Sequence, residues 1–242
     1  MVSTLVSTIA VIANVGLGVL LIAGIAYAAR AQRRRAVLWA GAGGVVAWLV
    51  LAVALAKQGA FETTTQTTFP AIAPAIVLPT ALGCALLAFA PARRAIARLP
   101  LHWLVGVQFY RVVGGVFLIA YLQDDIPAEF ALPAGIGDVL VGLAAPFVAV
   151  ALARGGVQRA WPAVTAWCAL GIADLVVAVT CGFLTAPSAF QQLALSNPNT
   201  AITSYPLVLI PVFAVPASIV LHVFVLARLR PAREPAGQPR VA

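Results

Sequence analysis

Residues 5–29 read LVSTIAVIANVGLGVLLIAGIAYAA, and residues 30–35 follow as RAQRRR. The first stretch is uncharged and longer than the roughly 20 apolar residues with which a helix crosses a hydrocarbon core of about 30 Å. The second stretch is rich in arginine, which stays at the aqueous surface of a membrane. Together they predict a transmembrane helix that ends at a charged boundary.

The same pattern recurs along the rest of the chain. Six further apolar stretches lie between polar segments, at residues 36–57, 70–91, 101–121, 133–153, 161–184 and 205–227. Each is continuous, which favours helices over the alternating strands of a membrane barrel. A content of 62% hydrophobic and 9% charged residues excludes an ordinary soluble domain and a disordered chain. We predict an all-α integral membrane protein: one seven-helix transmembrane bundle over residues 1–229 and a short basic tail over 230–242.

The basic residues orient this bundle. Of the 15 basic residues, nearly all fall on one side of the predicted membrane: Arg30, Arg33, Arg34, Arg35, Arg93, Arg94, Arg98, Arg154, Arg159, Arg228, Arg230, Arg233 and Arg240. The loops on the other side hold one lysine and four acids, namely Lys57, Glu62, Asp124, Asp125 and Glu129. The positive-inside rule places the N-terminus outside and the C-terminal tail in the cytoplasm, in a bacterial-type inner (cell) membrane. The net charge of +8 is then a topology signal, and we expect no nucleic-acid partner.

An internal duplication is a further interpretation. Residues 30–36 resemble residues 154–160, and an aromatic residue followed by proline opens both the 70–91 and the 205–227 regions. The chain then forms a 3+1+3 parallel repeat, in which the fourth span crosses the membrane once to link two three-helix units. Chance similarity among helices rich in alanine, valine and leucine is the alternative.

Three ionisable residues lie well inside the predicted spans: Arg111, Asp138 and Asp174. Such residues cost several kcal/mol in a bilayer unless they are paired, so they mark candidate functional sites. At about 1.5 Å per residue, Arg111 lies roughly 15 Å and Asp174 roughly 20 Å from the inner boundary. Asp138 lies about 6–10 Å below the outer surface. We therefore expect the three side chains to meet in the outer half of the bundle.

Small residues accompany these charges. Glycine at −3 and glycine or alanine at +4 share the helix face of Asp138 and of Asp174. Small residues allow close helix approach, so each carboxylate is expected to face another helix. In the fourth span, Gln108, Arg111 and Gly115 would form the matching face of an α-helix.

The sequence thus predicts a polar, water-accessible pocket that binds a ligand or a proton, lined by Gln108, Arg111, Asp138 and Asp174, with Asn14 from the middle of the first span. One arginine cannot fully neutralise two carboxylates, so the remaining acid needs water, a proton or a cation. A carboxyl left unpaired in a low-dielectric environment favours its protonated form, which makes it a candidate proton carrier. The alternative is a structural ion pair that only holds spans four to six together.

Two histidines form a second constellation. His102 and His222 lie at comparable depths near the inner boundary, on different spans. Two imidazoles so placed could ligate a haem b or a metal ion, and helix packing at the interface is the alternative. The chain has no cysteine or histidine cluster with metal-ligand spacing, so we expect no metal ion and no cofactor beyond this haem.

Three functions remain open at this point. The first is small-molecule transport or ligand binding, with proton coupling as an extension. The second is an intramembrane enzyme acting on a lipid-soluble substrate, with an aspartate as general acid and Arg111 stabilising negative charge. The third is a bis-histidine haem membrane protein. The expected partners are the lipid bilayer and a small-molecule or lipid ligand, and a homo-oligomer is left open.

Overall fold

The structure is a computed structural model that describes residues 2–32 and 35–229. The predicted basic tail, 230–242, therefore lies outside the described residues. In chain order the helices are α1 (Thr4–Gln32), α2 (Arg35–Lys57), α3 (Ile72–Ala85), a 3₁₀ turn (Leu86–Ala88), α4 (Ala90–Arg98), α5 (Leu101–Gly106), a 3₁₀ segment (Val107–Gly115), α6 (Val116–Leu122), α7 (Ala128–Thr185), a 3₁₀ turn (Ala201–Thr203), a π-helical turn (Ile210–Ala214) and α8 (Val215–Leu229). No strand occurs within these ranges.

Several of these helices are compatible with a membrane bundle. Five helical stretches are long and apolar enough to cross a bilayer, or six if the bent α3–α4 pair is one span. Large apolar side chains such as Trp39, Leu122 and Phe147 are more than 70% exposed on the outside of the bundle. Surfaces of this kind are stable against lipid chains and unfavourable in water.

The 58-residue element α7 doubles back on itself at Gly156, whose backbone leaves the helical region at φ 70° and ψ 172°. A straight helix would hold Asp138 and Asp174 more than 50 Å apart. Instead, one guanidinium binds both carboxylates, and the indole of Trp167 donates to the carbonyl of Val141 across 3.1 Å. The two arms of α7, residues 128–155 and 157–185, therefore pack side by side.

The third predicted span ends in a sharp bend. Helix α3 and its 3₁₀ turn meet α4 at 91°. The segment between Pro91 and Pro100, which the sequence predicted as a polar break, is mostly helical. Its residues Ala95 and Ile96 are buried against the bundle while Arg94 is exposed. A polar segment with one buried apolar face forms a short amphipathic helix, which a count of apolar residues alone does not reveal.

The two ends of the bundle are recognisable by their contacts. At the Arg-rich end, Arg228 of α8 donates to the carbonyls of Ile96 and Leu99, and Tyr27 of α1 packs on Trp103 of α5 with 5.1 Å between ring centroids. At the opposite end, which we call the loop end, residues 58–71, 123–127 and 186–209 come together. There the amide of Ala189 donates to the carbonyl of Thr67 across 2.9 Å.

The last span is irregular because of its prolines. Pro216 has no N–H for the carbonyl of Val212, one turn earlier. The indole Nε1 of Trp48 on α2 donates to this carbonyl across 2.9 Å. A side chain of a neighbouring helix thus satisfies a backbone acceptor that would otherwise be unpaired in the bundle interior. The π-helical turn at Ile210–Ala214 contains Val212 and borders the charged site.

Candidate functional site

Arg111 lies in the nine-residue 3₁₀ segment Val107–Gly115. In a 3₁₀ helix every third residue shares one face. Gln108, Arg111 and Gly114 are accordingly all buried. The prediction of Gly115 on this face is wrong, because it assumed α-helical spacing. Gly114 takes that position instead, and Gly115 is only partly buried.

The guanidinium of Arg111 makes four hydrogen bonds and one further ion-pair contact. Its Nε donates to Oδ1 of Asp138 across 2.8 Å, and Nη2 lies 2.7 Å from the same oxygen. Nη2 also donates to Oδ2 of Asp174. Nη1 donates to the carbonyl of Gly171 across 3.2 Å and lies 3.4 Å from Nε2 of His222. Each of the three guanidinium nitrogens thus has at least one partner among the described residues.

His222 acts as an acceptor in this arrangement. Arginine only donates hydrogen bonds, so a hydrogen bond here requires Nε2 of His222 to accept. The imidazole is then neutral with its proton on Nδ1, which has no hydrogen-bond partner among the described residues. The ring is fully buried and packs on Trp167 with 4.8 Å between centroids. The histidine therefore adds no charge to the cluster.

The charges of the cluster do not cancel. Arg111 contributes one positive charge and the two carboxylates contribute two negative charges when both are ionised. Arg111 is 3% exposed and Asp138 is 8% exposed, so bulk water screens neither well. One surplus negative charge remains for a proton, a cation or a polarised ligand to compensate.

Glycines bring the three helical elements together at this point. A Cβ on Gly142 would lie 2.6 Å from the backbone nitrogen of Val112, and a Cβ on Gly114 would overlap the carboxylate of Asp138. Likewise, a Cβ on Gly137 would overlap the carboxylate of Asp174. Only glycine allows the 3₁₀ segment and the two arms of α7 to approach closely enough for Arg111 to reach both acids.

Gln108 lies in a separate polar group one turn away. Its Nε2 donates to the carbonyl of Ser218 across 3.0 Å, and the Ser218 hydroxyl donates to Oε1 of Gln108 across 3.1 Å. The hydroxyl of Tyr110 donates to the carbonyl of Ala214 across 3.0 Å and contacts the Ser218 hydroxyl. Gln108 thus links the 3₁₀ segment to α8 and makes no hydrogen bond to Arg111.

Two cavities adjoin the cluster within the described residues. The apolar cavity, of about 40 Å³, is lined mainly by apolar side chains such as Phe117, Phe130 and Phe183, and reaches Thr63 and Ser188 at the loop end. This volume has room for roughly three water molecules, and the cavity is partly open, so a larger ligand would extend beyond it. Asp138 is its one ionisable lining residue.

The polar cavity, of about 30 Å³, also borders Asp138. Its lining includes Asn14, Tyr110, Arg111 and Ser218. The amide nitrogen of Asn14 donates to the carbonyl of Ala10 across 2.8 Å, while its Oδ1 is buried with no hydrogen-bond partner among the described residues. The structure therefore places Asn14 beside the cluster, and Asp138 lines both cavities.

The two histidines have different surroundings. His222 contacts Arg111 and Trp167, whereas His102 is partly exposed and has Trp103 as its aromatic neighbour at 6.3 Å. Within residues 2–32 and 35–229, no group of three or more His, Cys, Asp or Glu side chains could hold a metal ion. The placement of His222 against Arg111 was missed by the sequence interpretation. Gly171, on the helix face of Asp174, makes room for the imidazole because it has no side chain.

Comparison with known proteins gives a family and no named relative. No curated protein and no solved structure matches the chain. A family match covers residues 69–230, which contain Arg111, Asp138, Asp174 and His222 but not Asn14. Since this match spans well over half of the sequence, the chain belongs to the family described as Domain of unknown function (DUF8737).

Proposed function

We propose that this protein binds and transports a small molecule through a site built on Arg111, Asp138 and Asp174, and that a proton takes part in the cycle. The observation that carries the proposal is the unbalanced charge of a buried cluster beside a cavity. A purely structural ion pair would be neutral, since a surplus buried charge lowers stability. A carboxylate that lines a cavity can instead exchange its counter-ion.

The proposed membrane arrangement has seven spans, with the N-terminus outside and the Arg-rich end in the cytoplasm of a cell membrane. The two arms of α7 count as two spans, and the bent α3–α4 pair counts as one. The distribution of arginines supports this orientation, and the apolar cavity would then open outward. The 3+1+3 repeat remains a prediction of the same kind.

Binding or transport is favoured over catalysis by the state of Arg111. An enzyme of the kind considered above needs a free donor to stabilise negative charge that develops on its substrate. Each of the three guanidinium nitrogens of Arg111 already has a partner among Asp138, Asp174, Gly171 and His222. We therefore assign Arg111 the role of internal counter-ion.

A ligand screen tests this function. Purified protein in detergent is screened by thermal shift against a library of metabolites and drugs, in parallel with Asp138→Asn and Asp174→Asn. Asp124→Asn is the matched control, because Asp124 is exposed at the loop end and its backbone has φ 59°, a conformation that asparagine adopts readily.

We expect compounds that stabilise the wild type and Asp124→Asn but not the two site variants. A stabilising compound is then tested for uptake into proteoliposomes with and without a pH gradient. Stabilisation of all four proteins by the same compounds would contradict the assigned site. Folded site variants and a wild type that responds to no compound would favour a structural role.

A further inference from the structure

The apolar cavity offers a ligand only one charged contact. Its walls include the rings of Phe117, Phe130 and Phe183, and its one ionisable lining residue is Asp138. Aromatic faces attract cations, and a carboxylate pairs with them. The lining therefore suits a molecule that has an apolar body and a positively charged group.

An anionic ligand finds no partner in this cavity. Arg111 is absent from its lining, and the three guanidinium nitrogens already have partners within the cluster. A carboxylate or phosphate placed beside Asp138 would add a second negative charge to a cluster that already has one in surplus. Like charges at such a distance repel strongly where water is scarce.

The same surplus charge limits what else can be bound. One proton on Asp138 or Asp174 neutralises the cluster, and so does one organic monocation against Asp138. Both together would leave a net positive charge in the bundle interior, which is costly. The proton and the cation therefore compete for one negative charge.

The groups that face this charge are few. The 3₁₀ segment contributes Arg111 and Tyr110, the second arm of α7 contributes Asp174, and α8 contributes His222. The guanidinium stays charged, the imidazole accepts a hydrogen bond from it, and the Tyr110 hydroxyl donates to a backbone carbonyl. From α1, Asn14 adds no charge. The exchangeable proton thus belongs to the two carboxyls.

We propose, resting on the proposed function, that the ligand is an organic monocation with an apolar body, such as an alkylammonium ion, and that its binding displaces one proton. The proton and the cation then occupy the site in turn, which is the arrangement required for exchange of one for the other. Linkage requires that the affinity for such a cation rises with pH, by up to about tenfold per pH unit, wherever the empty site is protonated.

Three probes of equal shape test the ligand class: isopentylamine, which is an ammonium ion at neutral pH, isopentanol, which is neutral, and isovalerate, which is an anion. Their binding to the full-length protein is measured by calorimetry, with protein-free micelles as the blank. We expect isopentylamine to bind at least about tenfold more tightly than isopentanol and isovalerate not to bind. The preference should disappear in Asp138→Asn and persist in Asp124→Asn.

A pH series completes the test. From about pH 5 to about pH 9, the affinity for isopentylamine should rise and that for isopentanol should stay constant. Should Asp138→Asn fail to fold, Ala178→Leu narrows the apolar cavity that Ala178 lines and should abolish isopentylamine binding.

Equal affinities for the amine and the alcohol would overturn the cationic class while leaving ligand binding in place. A preference for isovalerate, a pH-independent affinity for the amine, or no binding of any probe would overturn the inference as well. The ligand screen described above decides separately whether the protein has a ligand-binding function at all.

Discussion

Two nitrogens of Arg111, Nε at 2.8 Å and Nη2 at 2.7 Å, contact the same carboxylate oxygen of Asp138. Nη2 also donates to Asp174. Nη1 donates to the carbonyl of Gly171 and contacts the imidazole of His222. This cluster joins the 3₁₀ segment, both arms of α7 and α8. The stability of the bundle and its proposed chemistry therefore depend on the same few side chains.

Removal of Arg111 is expected to destabilise the protein strongly. In Arg111→Gln both carboxylates lose their counter-ion, at a cost of about 3–5 kcal/mol in the free energy of unfolding. Arg111→Lys should be destabilised too, because an ammonium group cannot match the five-donor fork of a guanidinium. Thermal unfolding of the purified protein in detergent measures both effects.

Two further variants make this test specific. Arg154→Gln removes an exposed arginine at the Arg-rich end and should leave the unfolding temperature unchanged. Arg111→Gln combined with Asp138→Asn should be less destabilised than Arg111→Gln alone, since one uncompensated carboxylate is gone. If Arg111→Gln and Arg154→Gln unfold at the same temperature, the cluster does not hold the bundle together.

Gly142→Ala should separate the 3₁₀ segment from α7. The added Cβ would lie 2.6 Å from the nitrogen of Val112, which is backbone and cannot turn aside. We expect a loss of about 1–3 kcal/mol, measured by the same unfolding experiment. Gly43→Ala on α2 is the control, because no atom lies within 4 Å of its added Cβ. Equal stability of the two variants would argue against the close approach.

Trp48→Phe removes the donor to the carbonyl of Val212. We expect a cost of about 1–3 kcal/mol, the penalty for a buried acceptor without a partner. Trp39→Phe on the same helix, where the indole is 73% exposed, should have little effect. Pro216→Ala restores a backbone N–H one turn after Val212, so in that background Trp48→Phe should cost less. A double-mutant cycle with no coupling would refute this role of Trp48.

His222→Phe should destabilise the cluster by about 1–3 kcal/mol, because one N–H of Arg111 loses its acceptor. The same substitution at the partly exposed His102 should change stability little. The absorption spectrum of the purified wild type also separates this role from haem ligation. A Soret band that is present in the wild type and absent from both histidine variants would favour the haem alternative instead.

The charged cluster could be anticipated because burial of charge is costly in any membrane helix. The depths expected for Arg111, Asp138 and Asp174 along their spans are similar, so the sequence predicts that the three side chains meet. The position of Gly114 could not be anticipated, because a nine-residue 3₁₀ segment is rare and a helical count assumes 3.6 residues per turn. The period of three in Gln108, Arg111 and Gly114 becomes visible only from their burial in the structure.

Other features depend on tertiary contacts that the local sequence does not encode. Nothing near His222 in the chain indicates that its ring faces Arg111, since the contact passes through the gap left by Gly171. The pairing of Trp48 with Val212 joins α2 to the last span in the same way. The sequence does not predict helix α4, because its polar residues are typical of a loop. Its apolar face becomes recognisable only when Ala95 and Ile96 are seen to be buried.

In the proposed cycle, Asp138 and Asp174 share one exchangeable proton, which an organic cation replaces. Infrared spectroscopy of the purified protein measures it most directly, through the carbonyl stretch of protonated carboxylic acids. We predict one such band in the ligand-free wild type that disappears as the pH rises and also when isopentylamine is added at constant pH. The band should be missing from a folded Asp138→Asn or Asp174→Asn variant and retained in Asp124→Asn. A ligand-free spectrum without this band at any pH, or a band that isopentylamine leaves unchanged, would contradict the account.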